Sequence, residues 1–241
     1  MAKILSSLNN TIISGFVLVV VLAIVVGSWH GGAGLQFDQG WWSFLFRWLH
    51  VISGVMWIGI LYYFNFIQIP NMPKIDEDKR PAITGVIAPA ALFWFRWGAM
   101  STIITGLIVA WLNGYIGDAI LIGITSGDAM HTQIGIGMWL GTIMWFNVWF
   151  IIWPAQQQVI TAIVKGEAPD PALPKKALMA SRANTFLSVP MLFGMIAGAG
   201  HYPSITFGPL WLIIVLGLGF GLAYHMIFQI GGKVAKEWAV D

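Results

Sequence analysis

Six long apolar runs separated by polar stretches dominate the pattern of this chain. They cover residues 11–29, 41–67, 82–112, 129–153, 184–198 and 209–231. A helix needs ~20 apolar residues to cross ~30 Å of hydrocarbon, and every run is near that length except the fifth, which is marginal and interrupted by Pro190. The first run follows Lys3 in the manner of a signal peptide, but its small-residue cleavage pattern is poor, so a retained helix is expected. Pro81 stands where a helix start tolerates proline, Pro89 is expected to bend the turns around it, and Pro154 to stop the fourth helix. The expected fold is all-α, a polytopic membrane helix bundle forming one domain over residues 1–241.

Charge gives this bundle a direction. Lys3, Lys74, Lys79, Arg80, Lys165, Lys175, Lys176, Arg182, Lys233 and Lys236 all fall on one side of the six spans. The intervening stretches 30–40, 113–128 and 199–208 hold no lysine or arginine, so the positive-inside rule puts both termini in the cytoplasm. All ten carboxylates lie in loops or tails, which disfavours a proton-coupled transporter with an acidic group at membrane depth.

Composition then narrows the chemistry. The chain is 58% hydrophobic and 9% charged, too apolar for an ordinary soluble domain. It has no cysteine, which excludes disulfides, thiolate-held iron–sulfur clusters and covalent c-type haem. The net charge of +2 is spread over helix ends and points to no nucleic acid.

Chemistry must therefore rest on histidine, methionine or oxygen ligands. His50 lies about nine residues into the second run, roughly 13 Å below the external surface at ~1.5 Å per residue. Arg47 is one turn outward from it. His131 opens the fourth run on the same side, His201 lies in an external loop, His30 ends the first run, and His225 lies deep in the sixth toward the cytoplasm. Ionisable groups at such depth face a bundle interior and hold something there. A haem b needs an imidazole, small residues beside the ring and positive charge for its propionates. Gly54 and Gly59 after His50, Gly135, Gly137 and Gly141 after His131, and Gly217, Gly219 and Gly221 before His225 supply the small residues. Gly137 and Gly141, spaced four apart, are more often a helix-packing pair than clearance for a cofactor. Arg47 and Arg96 supply charge; Arg47 could also snorkel to headgroups, whereas Arg96 should pair with something buried. On this reading His50 is an axial ligand, with His131, His201 or His225 as candidates for the second.

Three blocks carry a family likeness: Trp48 to Phe66, Gly137 to Pro154, and Ser181 to Phe193. Together they resemble the membrane domain of the PuuD-type urate hydroxylases, the urate oxidase N-terminal family, over about residues 40 to 230. The resemblance implies a bacterial inner-membrane protein that oxidises urate to 5-hydroxyisourate and passes electrons to a C-terminal cytochrome c domain. This sequence ends at Asp241 without a cysteine, so the expected acceptor is a separate cytochrome c or a quinone. The Trp48–Ser53 stretch is also similar to membrane helices of HemJ, a haem-binding protoporphyrinogen oxidase, and of copper-resistance CopD proteins. That likeness implies haem more than any one substrate.

Three functions compete. The first is a haem b redox protein. The second is a non-catalytic subunit of a larger membrane complex. The third is a copper-handling protein using His50, His131, Met56 and Met138.

Overall fold

The computed structural model describes residues 2–29, 37–198 and 209–230. Among these residues every regular element is helical. His30 and His201 lie outside them. The chain divides into two units, residues 1–44 and 45–241.

In the first unit a short α1 (Ala2–Leu5) leads to α2 (Leu8–Trp29). The Thr11 hydroxyl donates to the carbonyls of Ile4 and Ser7 and ties the two together. Asp38 then caps the start of α3 (Gln39–Tyr62), its carboxylate accepting from the Trp41 amide at 2.8 Å.

The second unit contains most of α3 and everything after it. α3 passes through a π-helical turn, Tyr63–Gln68, into α4 (Ile69–Asn71). α5 (Arg80–Ala82), with Pro81 in its first turn, passes through a second π turn, Ile83–Ile87, into α6 (Ala88–Leu112). The short α7 (Ile116–Ile120) precedes α8 (Ala129–Phe146), which runs through a third π turn, Asn147–Ile152, into α9 (Trp153–Val164). Then come α10 (Ala172–Ile196) and α11 (Pro209–Tyr224), the latter followed by a π turn at His225–Ile230.

Four stretches are long and apolar enough to cross a membrane: Leu8–Val26, Gln39–Lys74, Arg80–Leu112 and Ala129–Val164. The last three have 36, 33 and 36 residues, roughly 50 Å of helix at ~1.5 Å per residue. Each is longer than a ~30 Å hydrocarbon layer, so part of each would lie outside it.

Two expectations about the later helices need correction. Pro154 does not stop the fourth helix, which continues as α9 to Val164. The π turn before it shifts the hydrogen-bond register, so Pro154 falls at the start of a new α segment, where a missing N–H costs little. Nor is the fifth helix short: α10 has 25 residues from Ala172, with Pro190 inside it. Hydropathy hides this length because α10 is the hub, packing on α8, α9, α11 and the third π turn. Its buried stripe is small and polar, including Ser181, Asn184, Thr185 and Ser188. Interhelical hydrogen bonds and close backbone approach, rather than apolar bulk, hold such helices in membranes.

The core gathers Trp57, Leu61 and Phe64 from the α3 rod, Leu92, Phe95 and Ala99 from α6, Met144, Val148 and Ile152 from the α8 rod, and Ala180 and Met191 from α10. Gly137 of α8 and Gly194 of α10 meet backbone to backbone: a Cβ on Gly194 would stand 3.0 Å from the Gly137 nitrogen. Gly137 therefore serves helix packing.

Candidate functional site

α3 and α6 cross where Gly98 meets the backbone of Trp57, a Cβ there falling 3.3 Å from the Trp57 nitrogen. Two turns on, Gly106 opens room for the His50 ring. A Cβ on Gly106 would come 2.8 Å from Cε1 and 3.0 Å from Nδ1 of His50. The clearance around His50 thus comes from α6, while Gly59 has nothing within 4 Å and Gly54 only the Thr102 methyl at 4.0 Å.

His50 Nδ1 stands 2.8 Å from the Thr102 carbonyl and 3.4 Å from the Thr105 hydroxyl. A carbonyl oxygen only accepts, so Nδ1 carries the proton and Nε2 the lone pair. Thr102 and Thr105 send their own hydroxyls back to Gly98 and Ser101, which fixes this stretch of α6. An imidazole held by one nitrogen against a backbone carbonyl has the orientation expected of a metal or haem ligand. The ring is partly buried, and Nε2 makes no hydrogen bond among the described residues. Nε2 of His50 is thus the atom at this crossing that would hold a metal or a haem iron.

A second cluster forms where α7 folds against the start of α8. His131 Nδ1 is 3.0 Å from the Ser126 hydroxyl and 3.6 Å from Asp118 Oδ2. The carboxylate favours the proton on Nδ1, which leaves the lone pair on Nε2. Asp118 also accepts from the Thr125 hydroxyl at 2.7 Å, and the Tyr115 ring stacks on His131 with centroids 6.1 Å apart. Burial pushes the Tyr115 phenol above its ordinary pKa, and the Arg47 charge pulls it partly back. Arg47 itself is exposed. The loop is tight: Ile122 adopts φ 53° and Gly123 φ 68°. Trp139 anchors it, donating Nε1–H to the Ile120 carbonyl at 3.0 Å.

Residues 120–241 match the family model described as urate oxidase N-terminal. The chain belongs to the urate oxidase N-terminal family. Comparison with curated proteins gave no match, nor did comparison with solved structures.

Within this urate oxidase N-terminal chain the matched stretch contains His131, α8, α10 and α11, while His50, Arg47, Arg96, Tyr115 and Asp118 precede it. The sequence candidates sort by position. His50 is held by α6, His131 by Ser126 and Asp118, and His225 is exposed in the last π turn. Among the described residues no group of three or more His, Asp or Glu side chains is arranged to hold a metal ion. Arg96 meets the indole faces of Trp97, Trp149 and Trp153, and no carboxylate pairs with it among the described residues.

Sequence reasoning missed the pair of asparagines at the π turns. The pattern Met-Trp-Ile/Leu-Gly, four residues, Phe-Asn occurs at Met56–Asn65 and again at Met138–Asn147. Both asparagines reach α10: Asn65 donates to the Ser181 hydroxyl at 2.8 Å, Asn147 to Asn184 Oδ1 at 2.8 Å. Asn184 in turn donates to the Met144 carbonyl at 2.9 Å. The repeated Phe-Asn was the available signal.

Proposed function

We propose that this chain is a six-span protein of the bacterial inner membrane with both termini cytoplasmic, which oxidises a small urate-like heterocycle at its external face. We further propose that His50 Nε2 holds a haem b and that electrons leave to a separate cytochrome c or a quinone. The observation that carries the reading is the Nδ1–H···O=C bond from His50 to Thr102, which leaves the opposite nitrogen as a free ligand inside an apolar bundle. Family membership supplies the substrate class.

Hydroxylation of urate to 5-hydroxyisourate takes oxygen from water and releases two electrons and two protons, so the site needs a base, an anion partner and an electron sink. Haem bound at His50 would supply a one-electron acceptor, used twice per turnover with each electron leaving to the separate cytochrome c or quinone. Arg47, one turn outward on α3, faces the anionic substrate, and the Tyr115 ring gives a flat wall against a planar heterocycle. His131, oriented through Nδ1 by Asp118 and Ser126, presents Nε2 to take a proton from the attacking water. Asp118 then stabilises the imidazolium.

A reduced-minus-oxidised absorption spectrum of the purified protein, for the wild type and His50→Ala, tests the proposal. A b-type band lost in the variant, together with reduction of the wild type by added urate, is the expected result. A featureless spectrum from folded protein would overturn the haem assignment, and a haem that urate leaves oxidised would overturn the substrate.

A further inference from the structure

Arg96 is a cation within a membrane-crossing helix that makes no ion pair and no hydrogen bond among the described residues. Its guanidinium carbon lies 3.9 Å from the ring centroid of Trp153, 5.0 Å from that of Trp149 and 5.7 Å from that of Trp97. Trp97 and Trp149 meet edge to face at 5.5 Å. The indoles ease the cost of the charge but offer no acceptor to the five N–H groups of the guanidinium. Its Nε is buried without a partner, as are the indole nitrogens of Trp149 and, one turn away, Trp145.

Depth and exposure say what fills this gap. Trp149 and Trp153 lie roughly 30 and 36 Å along their rod from its external start at Ala129, at the opposite edge of a ~30 Å hydrocarbon layer. That edge is where the lysine-rich loops begin. The cage opens sideways, because Trp97 is 44% exposed on a surface that faces lipid, and Phe150, one turn from Trp153 and with its ring packed on Trp145 at 5.8 Å, is 57% exposed. A ligand here must bring acceptor oxygens and negative charge at headgroup level and an apolar body along the indoles.

We propose that the Arg96 cage binds the phosphate of an anionic phospholipid of the cytoplasmic leaflet, with an acyl chain lying along Trp97 and Phe150. The planar guanidinium fork pairs two phosphate oxygens, and the indole faces position the fork. Basic pockets on the cytoplasmic side of helix bundles recognise lipid headgroups through this chemistry.

Native mass spectrometry of the full chain in neutral detergent, with phosphatidylglycerol, phosphatidylcholine or inorganic phosphate added, tests this. Wild type should retain phosphatidylglycerol over phosphatidylcholine, and Arg96→Gln should lose about tenfold in that retention, equivalent to one charged hydrogen bond. Arg96→Lys, which keeps the charge and loses the fork, should retain an intermediate amount and carries the test if the Gln variant does not fold. Equal retention by wild type and either variant would overturn the proposal. Displacement of the lipid by millimolar inorganic phosphate would also overturn it, assigning the cage to a soluble phosphate compound. Loss of a b-type band in Arg96→Gln with lipid retention unchanged would overturn it in favour of a haem propionate.

Discussion

The Nδ1 of His50 and the backbone carbonyl of Thr102 are 2.8 Å apart, joining α3 to α6. Because the acceptor is backbone, no side-chain substitution at Thr102 removes it directly. The orientation of His50 is instead controlled by the space beside it.

Gly106→Ala is therefore expected to displace the His50 ring, since its Cβ would fall 2.8 Å from Cε1. Alanine would otherwise favour the helix by up to ~1 kcal/mol, so any loss reports the clash. With the proposed haem on His50, its b-type band should shift or lose most of its intensity, whereas Gly59→Ala, with nothing within 4 Å, should leave it intact. Equal spectra for both variants would contradict this account.

Asn184→Ala should lower stability by about 1–2 kcal/mol, because it strands the Asn147 side-chain amide inside the bundle and removes the bond from Asn184 to the Met144 carbonyl. Asn184 is fully buried, so water does not replace it. Thermal unfolding in detergent should show a lower midpoint, and an unchanged midpoint would refute the role of this seam.

Gly194→Ala should be worse tolerated than Gly221→Ala. The first places a Cβ 2.9 Å from the Gln133 carbonyl and 3.0 Å from the Gly137 nitrogen, while the second meets nothing within 4 Å. Overpacking of this kind costs about 1–3 kcal/mol. The yield of folded, monodisperse protein from membranes checks the order.

Alkaline pH should act through Tyr115. Its folded pKa is raised by burial, so its contribution is complete below the ordinary value of about 10 and is lost as pH rises through the folded value. Tyr115→Phe should flatten this alkaline fall. Arg47→Gln removes the charge that holds the phenol down, so ultraviolet titration should show Tyr115 ionising later than in wild type. Earlier ionisation would place Arg47 away from Tyr115.

The likeness carried by Gly137–Pro154 and Ser181–Phe193 falls within the stretch that the family model matches, so membership was legible in those residues. The site was legible only in part. His50 and His131 stood out as rare ionisable groups on apolar helices, but Tyr115, Asp118 and Ser126 read as ordinary loop residues until α7 folded onto α8.

The sequence by itself determined the helical class and four stretches long and apolar enough to cross a membrane. Hydropathy and charge are sums over neighbouring residues, so they need no knowledge of what packs where. Tertiary structure alone decided that Gly106 rather than Gly59 makes room for His50, that Thr102 sets its tautomer, that Arg96 meets indoles, and that α10 reaches back to Ala172. Each depends on which helix faces lie together. A polar residue such as Asn184 reads as unfavourable in a membrane helix until its partner across the interface is in place.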